Sequence, residues 1–276
     1  MGDSKRTTII FGTAGFDPLY GFSNINRFEP EALVREALAY GVDTFDTAPV
    51  YGNAEAILGK SLRGRGKVWT KVTGANWKAS LEQSLNRLSR TQVNLLQYHN
   101  WSHKLLYEQW FLGAWRALKS SGHCTWLGAS TYGKMDAVAA VESDLFDVVQ
   151  IEWNLLNQGV LKEVAPIAKR HRVRIAVRSI FLQGALTDEG RDLLGLPVLK
   201  AGVERARKLA AEFGVSLNAL ILESVLGHPD IDYVVIGFES IQQIQMAICT
   251  TGKKPKIETL DLGGHIEADP RNWTRI

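Results

Sequence analysis

Short runs of apolar and β-branched residues alternate along the chain with longer segments whose apolar positions recur every three or four residues. The short runs are residues 8–11, 43–46, 67–70, 93–97, 124–127, 147–151, 173–177 and 233–236. Runs of this length between turn residues predict strands, whereas the three-to-four spacing between them predicts helices. Residues 30–40 and 80–88 show that spacing, with Pro30 near the first turn and Gly41 just past the end of the former. The rhythm breaks at 180–199, where Gly184, Gly190, Gly195 and Pro197 predict an elaborated loop. Two more helical patterns follow it, at 198–213 and 216–226.

Strand and helix in strict alternation call for parallel strands joined by crossover helices. Eight such units in 276 residues suit a closed (β/α)8 TIM barrel better than an open doubly wound sheet, the architectural alternative. No repeat, low-complexity tract or linker divides the sequence, so residues 1–276 read as a single domain.

Composition narrows the function classes. With 45% hydrophobic and 22% charged residues, the chain has the material for a large core. Its net charge of +3 arises from 32 basic and 29 acidic side chains mixed along the sequence, so neither nucleic acid nor a membrane surface is expected as a partner. Cys124 and Cys249 lie far apart and form no metal-ligand spacing, as expected of reduced thiols. The first residues, Met-Gly-Asp-Ser-Lys-Arg, contain no apolar signal core, and Arg6 stands where a myristoylation signal needs Ser or Thr. No segment reaches the roughly 20 apolar residues of a membrane helix, and a cytoplasmic location is the expectation.

Candidate chemistry gathers at the expected strand ends. Asp46 ends the second run, Lys71 the third, and His99 follows the fourth; in a TIM barrel these ends converge on one catalytic face. Tyr51, five residues past Asp46, is placed to fold back over the same mouth. A free tyrosine is a poor proton donor near neutrality, and a nearby ammonium lowers its pKa. Lys71 is the candidate ammonium, Asp46 its counter-charge, and His99 a hydrogen-bond donor to a carbonyl oxygen. Such a set suits moving a proton on or off an oxygen whose carbon gains or loses a hydride.

The run Gly41-Val-Asp-Thr-Phe-Asp46-Thr-Ala-Pro-Val-Tyr51-Gly52-Asn-Ala-Glu55, Lys71 after Val-Trp-Thr, and His99 after Leu-Leu-Gln-Tyr resemble the aldo-keto reductase motifs in order and spacing. The resemblance spans nearly the whole chain. It implies a (β/α)8 barrel that binds NADPH or NADH across its C-terminal face and reduces aldehydes or ketones. By position it implies Tyr51 as general acid, Asp46 and Lys71 as its tuning pair, and His99 as the carbonyl-orienting donor.

No GxGxxG follows a strand, and Gly59-Lys60-Ser61 lies seven residues after Gly52 where a P-loop needs five. The resemblance supplies other cofactor candidates: Gly12, Thr13 and Ala14 after the first strand, and Ser130, Thr131 and Gln150 toward the nicotinamide. It adds Arg178, Ser179, Phe181, Gln183 and Gly184 along the pyrophosphate, and Gly237, Phe238, Glu239, Ser240 and Gln243 at the last helix. Three of these depart from the family pattern. Thr131 stands where Asn is usual, Arg178 where an aromatic usually stacks on the nicotinamide, and Glu239 near a position often basic in NADPH-preferring relatives. Arg178 is expected to favour reduced over oxidised cofactor, since its charge opposes the cationic ring. Glu239 is expected to repel a 2′-phosphate and to suit a ribose diol, unless it only caps the helix.

Phe16, Tyr20, Trp77 and Trp101 are expected in or beside loops that rim the catalytic mouth, lining an aromatic pocket. The tail from Gly263 leaves little room for a large specificity loop, which predicts an open site for a small-molecule carbonyl, a sugar or small aldehyde. A monomer or weak homo-oligomer is expected. His99 and His103 lie four apart with no third ligand nearby, so no metal is expected. Two other readings stand: a non-catalytic cofactor-sensing subunit, since the family also resembles accessory subunits of potassium channels, and a lyase forming a Schiff base on Lys71.

Overall fold

The computed structural model describes residues 7–17, 29–252 and 260–273. Eight strands, β1 (Thr8–Gly12), β2 (Thr44–Asp46), β3 (Lys67–Val72), β4 (Val93–Trp101), β5 (Cys124–Thr131), β6 (Val148–Glu152), β7 (Arg174–Arg178) and β8 (Tyr233–Ile236), form a closed barrel in sequence order. Every neighbouring pair is parallel, and β1 closes the ring on β8 through Thr8 opposite Tyr233 and Phe11 opposite Ile236. All eight expected strands are present, and the open-sheet alternative is excluded.

The helices are α1 (Pro30–Ala39), α2 (Ala54–Leu62), α3 (Trp77–Leu88), α4 (Gln109–Ser120), α5 (Lys134–Glu142), α6 (Gly159–His171), α7 (Pro197–Glu212), α8 (Leu217–Leu226) and α9 (Ile241–Cys249). Their boundaries follow local chemistry. Pro30 and Pro197 occupy first-turn positions, where a missing N–H costs nothing. Ser216 and Ser240 cap α8 and α9, their hydroxyls accepting from the Ala219 and Gln243 amides.

A period of two on each strand divides the residues between two cores. Outward residues such as Phe11, Phe45, Val68, Leu96 and Val149 pack under the helices. Inward ones, Ile10, Trp69, Leu95, Val148 and Ala176, plug the barrel with Trp126, Tyr233 and Val235 packed against them. Two residues further along the same inward faces stand Gly12, Lys71, Gln97, Gln150 and Arg178. The barrel therefore carries a polar layer directly above its apolar plug. Gly12 is required there, because a Cβ would sit 2.8 Å from the Val235 side chain.

Strand β3 is tied to the helical shell by a buried carboxylate. Glu55 of α2, 1% exposed, accepts from Thr70 Oγ1 at 2.6 Å and pairs with Arg87 of α3 at 2.7 Å. Such a charge is tolerated in the interior because each carboxylate oxygen has a strong donor.

Candidate active site

Asp46, at the end of β2, has both carboxylate oxygens bonded. Lys71 Nζ donates to Oδ1 at 2.6 Å and to the Thr47 carbonyl at 2.9 Å. Gln97 and Gln150 donate from their amides to Oδ2 at 3.0 and 3.1 Å. All four side chains lie at the strand mouths and are almost fully buried. Burial pushes the Lys71 ammonium pKa down, and Asp46 opposes that shift. Gln97 was not among the expected site residues. It shares the inward face of β4 with Leu95 and His99, and that period of two was the signal that could have found it.

Tyr51 and His99 stand over this network. Their rings meet edge to face with centroids 6.1 Å apart, and Lys71 Nζ lies 5.1 Å from the centroid of the Tyr51 ring. Lys71 was expected to lower the phenol pKa. Instead burial, aided by the Asp46 charge, pushes it well above its ordinary value, with the Arg178 charge opposing. The phenol is accordingly held protonated. Burial lowers the His99 pKa to about 4, reinforced by Lys71 and Arg178 and opposed by Asp46. The imidazole is neutral at pH 7 and carries one N–H. His99 lies inside β4, not beyond it, because the strand continues through its polar end to Trp101.

The expected cofactor residues line the same end of the barrel. Thr13, fully buried, donates from Oγ1 to the Asp46 carbonyl, and Ala14 opens a short 3-10 turn beyond it. Ser130 Oγ is 3.5 Å from Gln150 Oε1. Gln150 is in the middle of β6, and its amide nitrogen is committed to Asp46. Thr131 is fully buried, and its hydroxyl has no partner among the described residues. Ser179, Leu182, Gln183 and Gly184 all have left-handed backbones, with φ of 66, 46, 50 and 87°, so the segment beside half-buried Phe181 turns sharply over the strand ends. Gly237 is exposed at the end of β8, where a Cβ would lie 3.7 Å from the Gly12 carbonyl oxygen, an ordinary contact. Glu239 is exposed and its amide donates to Gln243 Oε1, while Ser240 caps α9. The chain thus supplies an orphaned buried hydroxyl and a helix N-terminus at one end of the barrel, which fits a nicotinamide nucleotide. Phe238 departs from that set: it is buried edge-on against Phe11 at 5.2 Å, so its ring belongs to the core.

The aromatic rim is corrected more extensively. Trp77 begins α3 beside the loop that follows β3, but its side chain packs in the main core. Phe16 is also core, its ring 5.9 Å from that of Phe11. Trp101 ends β4, is 1% exposed and packs edge-on to Phe146, although it does contribute to a cavity wall. Tyr20 lies outside the described residues.

Where open aromatics were expected, the mouth carries a cation–π ladder. The Arg178 guanidinium lies 4.1 Å and that of Arg271 3.6 Å from the centroid of the Tyr132 ring. Arg178 Nη2 also donates to the Thr131 carbonyl at 2.8 Å and lies 3.9 Å from Glu152 Oε2. Arg271 pairs with Asp269, whose pKa is held below the usual carboxylate range: burial would raise it, and the Arg271 bonds more than offset that. Trp273 anchors this tail, donating from its indole to the Glu267 carbonyl at 2.8 Å. The tail was expected to offer little room for a large specificity loop; through Arg271 it supplies part of a cavity wall. No cluster of metal-ligating side chains occurs among the described residues, and no single helix among them is long and apolar enough to cross a membrane.

Comparison with known proteins bears on this geometry. L-galactose dehydrogenase of Arabidopsis thaliana is 24% identical over 270 residues, covering 87% of this chain and 83% of that protein. Pyridoxal 4-dehydrogenase of Microbacterium luteolum is also 24% identical, over 88% of each chain. The glycerol dehydrogenase structure from Gluconobacter oxydans superposes with a TM-score of 0.71 at 21% identity, covering 91% of this chain and 88% of that one. The model of the aldo/keto reductase family matches residues 8–251. The closed eight-stranded barrel agrees with that match, and the chain belongs to the aldo/keto reductases and is an NAD(P)H-dependent oxidoreductase.

Proposed function

We propose that this protein reduces an aldehyde or ketone, a sugar or small aldehyde among the candidates, to the alcohol, with Tyr51 as proton donor. The observation that carries this reading is the buried Asp46–Lys71 pair, locked by Gln97 and Gln150, beneath a protonated phenol and a neutral imidazole. A bound nicotinamide nucleotide supplies the hydride to the carbonyl carbon. Ser130, Thr131 and Gln150 would hold its nicotinamide end, the 178–184 segment its pyrophosphate, and residues 237–243 its adenosine end. The His99 N–H donates to the carbonyl oxygen and orients it. As that oxygen gains negative charge, the Tyr51 O–H bond breaks and its proton moves to the oxygen. The phenolate left behind is stabilised by the charges of Lys71 and Arg178. Asp46 keeps Lys71 charged and in place, the condition under which the ammonium can do this.

The same geometry disfavours the lyase. Lys71 is 1% exposed and hydrogen-bonded as an ammonium to Asp46 and Thr47, whereas a Schiff-base lysine needs a free, accessible amine. On the cofactor side, exposed Glu239 favours NADH over NADPH by repelling a 2′-phosphate. The test is turnover of NADH and NADPH in parallel over a panel of aldehydes, ketones and aldoses. Reduction of some member with oxidation of the nucleotide is expected, NADH giving the higher kcat/KM. Tight nucleotide binding without turnover anywhere in the panel would replace the reading by a cofactor sensor, and a strong NADPH preference would remove the role of Glu239.

A further inference from the structure

Beside His99 the mouth opens into a cavity of about 500 Å³ walled by His99, Asn100, Trp101, Tyr132, Asp136 and Arg271. None of these is aliphatic. Among the described residues, no protein group hydrogen-bonds the Asn100 amide or the Tyr132 hydroxyl. Asp136 makes all its hydrogen bonds through Oδ1, accepting from Ser102 Oγ and from the backbone and Nδ1 of His103, so Oδ2 is unused. Arg271 bonds Asp269 through Nε and Nη2, so Nη1 is unused. Asn100, moreover, holds a left-handed φ of 56° at the end of β4, where the irregular pairing between Tyr98 and Trp101 presents it outward.

Arg271 is already paired with Asp269, and Asp136 Oδ1 lies 2.7 Å from His103 Nδ1. What remains is a cavity offering donors at Arg271 and Tyr132, an acceptor at Asp136 and both at Asn100. An apolar substrate would strip these groups of water without replacing its hydrogen bonds. An anionic one would meet the Asp136 carboxylate. A hydroxyl group both donates and accepts, and matches the set.

We infer that the cavity selects carbonyl compounds bearing hydroxyls on the carbons next to the reacting one, read by Asn100, Asp136 and Arg271. This rests on the carbonyl-reduction reading above. The test compares three four-carbon aldehydes at equal nucleotide concentration: erythrose, butanal and succinic semialdehyde. Erythrose is expected to exceed both in kcat/KM by at least about tenfold, because a site built around substrate hydroxyls penalises the analogue that lacks them. Arg271→Leu and Asn100→Ala should each cut the erythrose-to-butanal ratio several-fold, a change that a purely structural role would not produce. Equal rates for erythrose and butanal, a preference for succinic semialdehyde, or a ratio unmoved in both variants would overturn the inference. If no aldehyde is reduced, the reduction reading fails separately, and calorimetric titration of erythritol into the nucleotide-loaded protein decides the matter. Binding weakened by Arg271→Leu supports the inference, and no binding overturns it.

Discussion

The layer around Asp46 and the rim around Tyr132 lie at the same barrel mouth but obey different rules. In the first, Asp46, Lys71, Gln97 and Gln150 are at most 3% exposed and saturate one carboxylate between them. In the second, Asn100, Tyr132, Asp136 and Arg271 are half-buried or exposed and keep spare donors and acceptors. A buried charge network is altered only at the cost of leaving a partner unpaired. A wet rim can change one residue at a time, because water satisfies what is left. Chemistry held in the first and selectivity in the second is the division this contrast predicts.

The largest test strikes where the two layers meet. Tyr51→Phe removes the proposed proton donor and should lower carbonyl reduction by about 10²–10⁴-fold, with nucleotide affinity nearly unchanged in a fluorescence titration. Turnover close to wild type would take Tyr51 out of its role. Next in size is a dependence on pH. His99 titrates near 4 in the fold and near 6.5 when unfolded. Between those values the unfolded chain binds the extra proton, so the stabilisation is complete above about pH 6.5 and is lost as pH falls toward 4. Thermal melts of wild type from pH 7 to 5 should fall more steeply than those of His99→Gln, by an amount on the order of 1–2 kcal/mol; parallel curves would mean that the histidine is not desolvated.

Gln97→Leu cuts one of two amide bonds to Asp46 Oδ2. A drop of about tenfold in kcat with little change in KM is expected, from loss of a hydrogen bond to a charged group. An unaltered kcat would show that the single donor from Gln150 suffices. The smallest effect belongs to the rim. Arg178→Tyr should shift the ratio of oxidised to reduced nucleotide affinities about two- to fivefold toward the oxidised form, a few tenths of a kcal/mol to about one. A ratio unchanged by titration would remove Arg178 from any role in choosing between the oxidised and reduced nucleotide.

The sequence made the inner layer legible and the rim largely not, for a physical reason. Strand periodicity carries Leu95 to Gln97 and His99, or Ala176 to Arg178, and places their side chains within one barrel from local pattern alone. The polar ends of β4 and β5 still escaped, since 98–101 and 128–131 look like loop residues to any reading based on hydropathy. Only pairing with the neighbouring strands keeps them extended. Trp77 borders a loop, yet its side chain packs in the main core, a matter of tertiary packing that local pattern does not show. The contact of Arg271 with Tyr132 joins residues far apart in sequence through a tail whose only regular elements among the described residues are two single-turn 3-10 helices, Ile266–Ala268 and Pro270–Asn272, and nothing local foretells it.

The Arg178–Tyr132–Arg271 ladder also constrains how such an enzyme can change over time. One rung faces the proposed nucleotide berth and the other the substrate cavity, with a single phenol ring between them. A substitution at Tyr132 therefore perturbs both neighbours at once, and a change in the tail that releases Arg271 alters the support of Arg178. Tolerance for a new substrate and tolerance for a new nucleotide should be inherited together in this lineage, each mutation's effect depending on which residue already occupies the other rung.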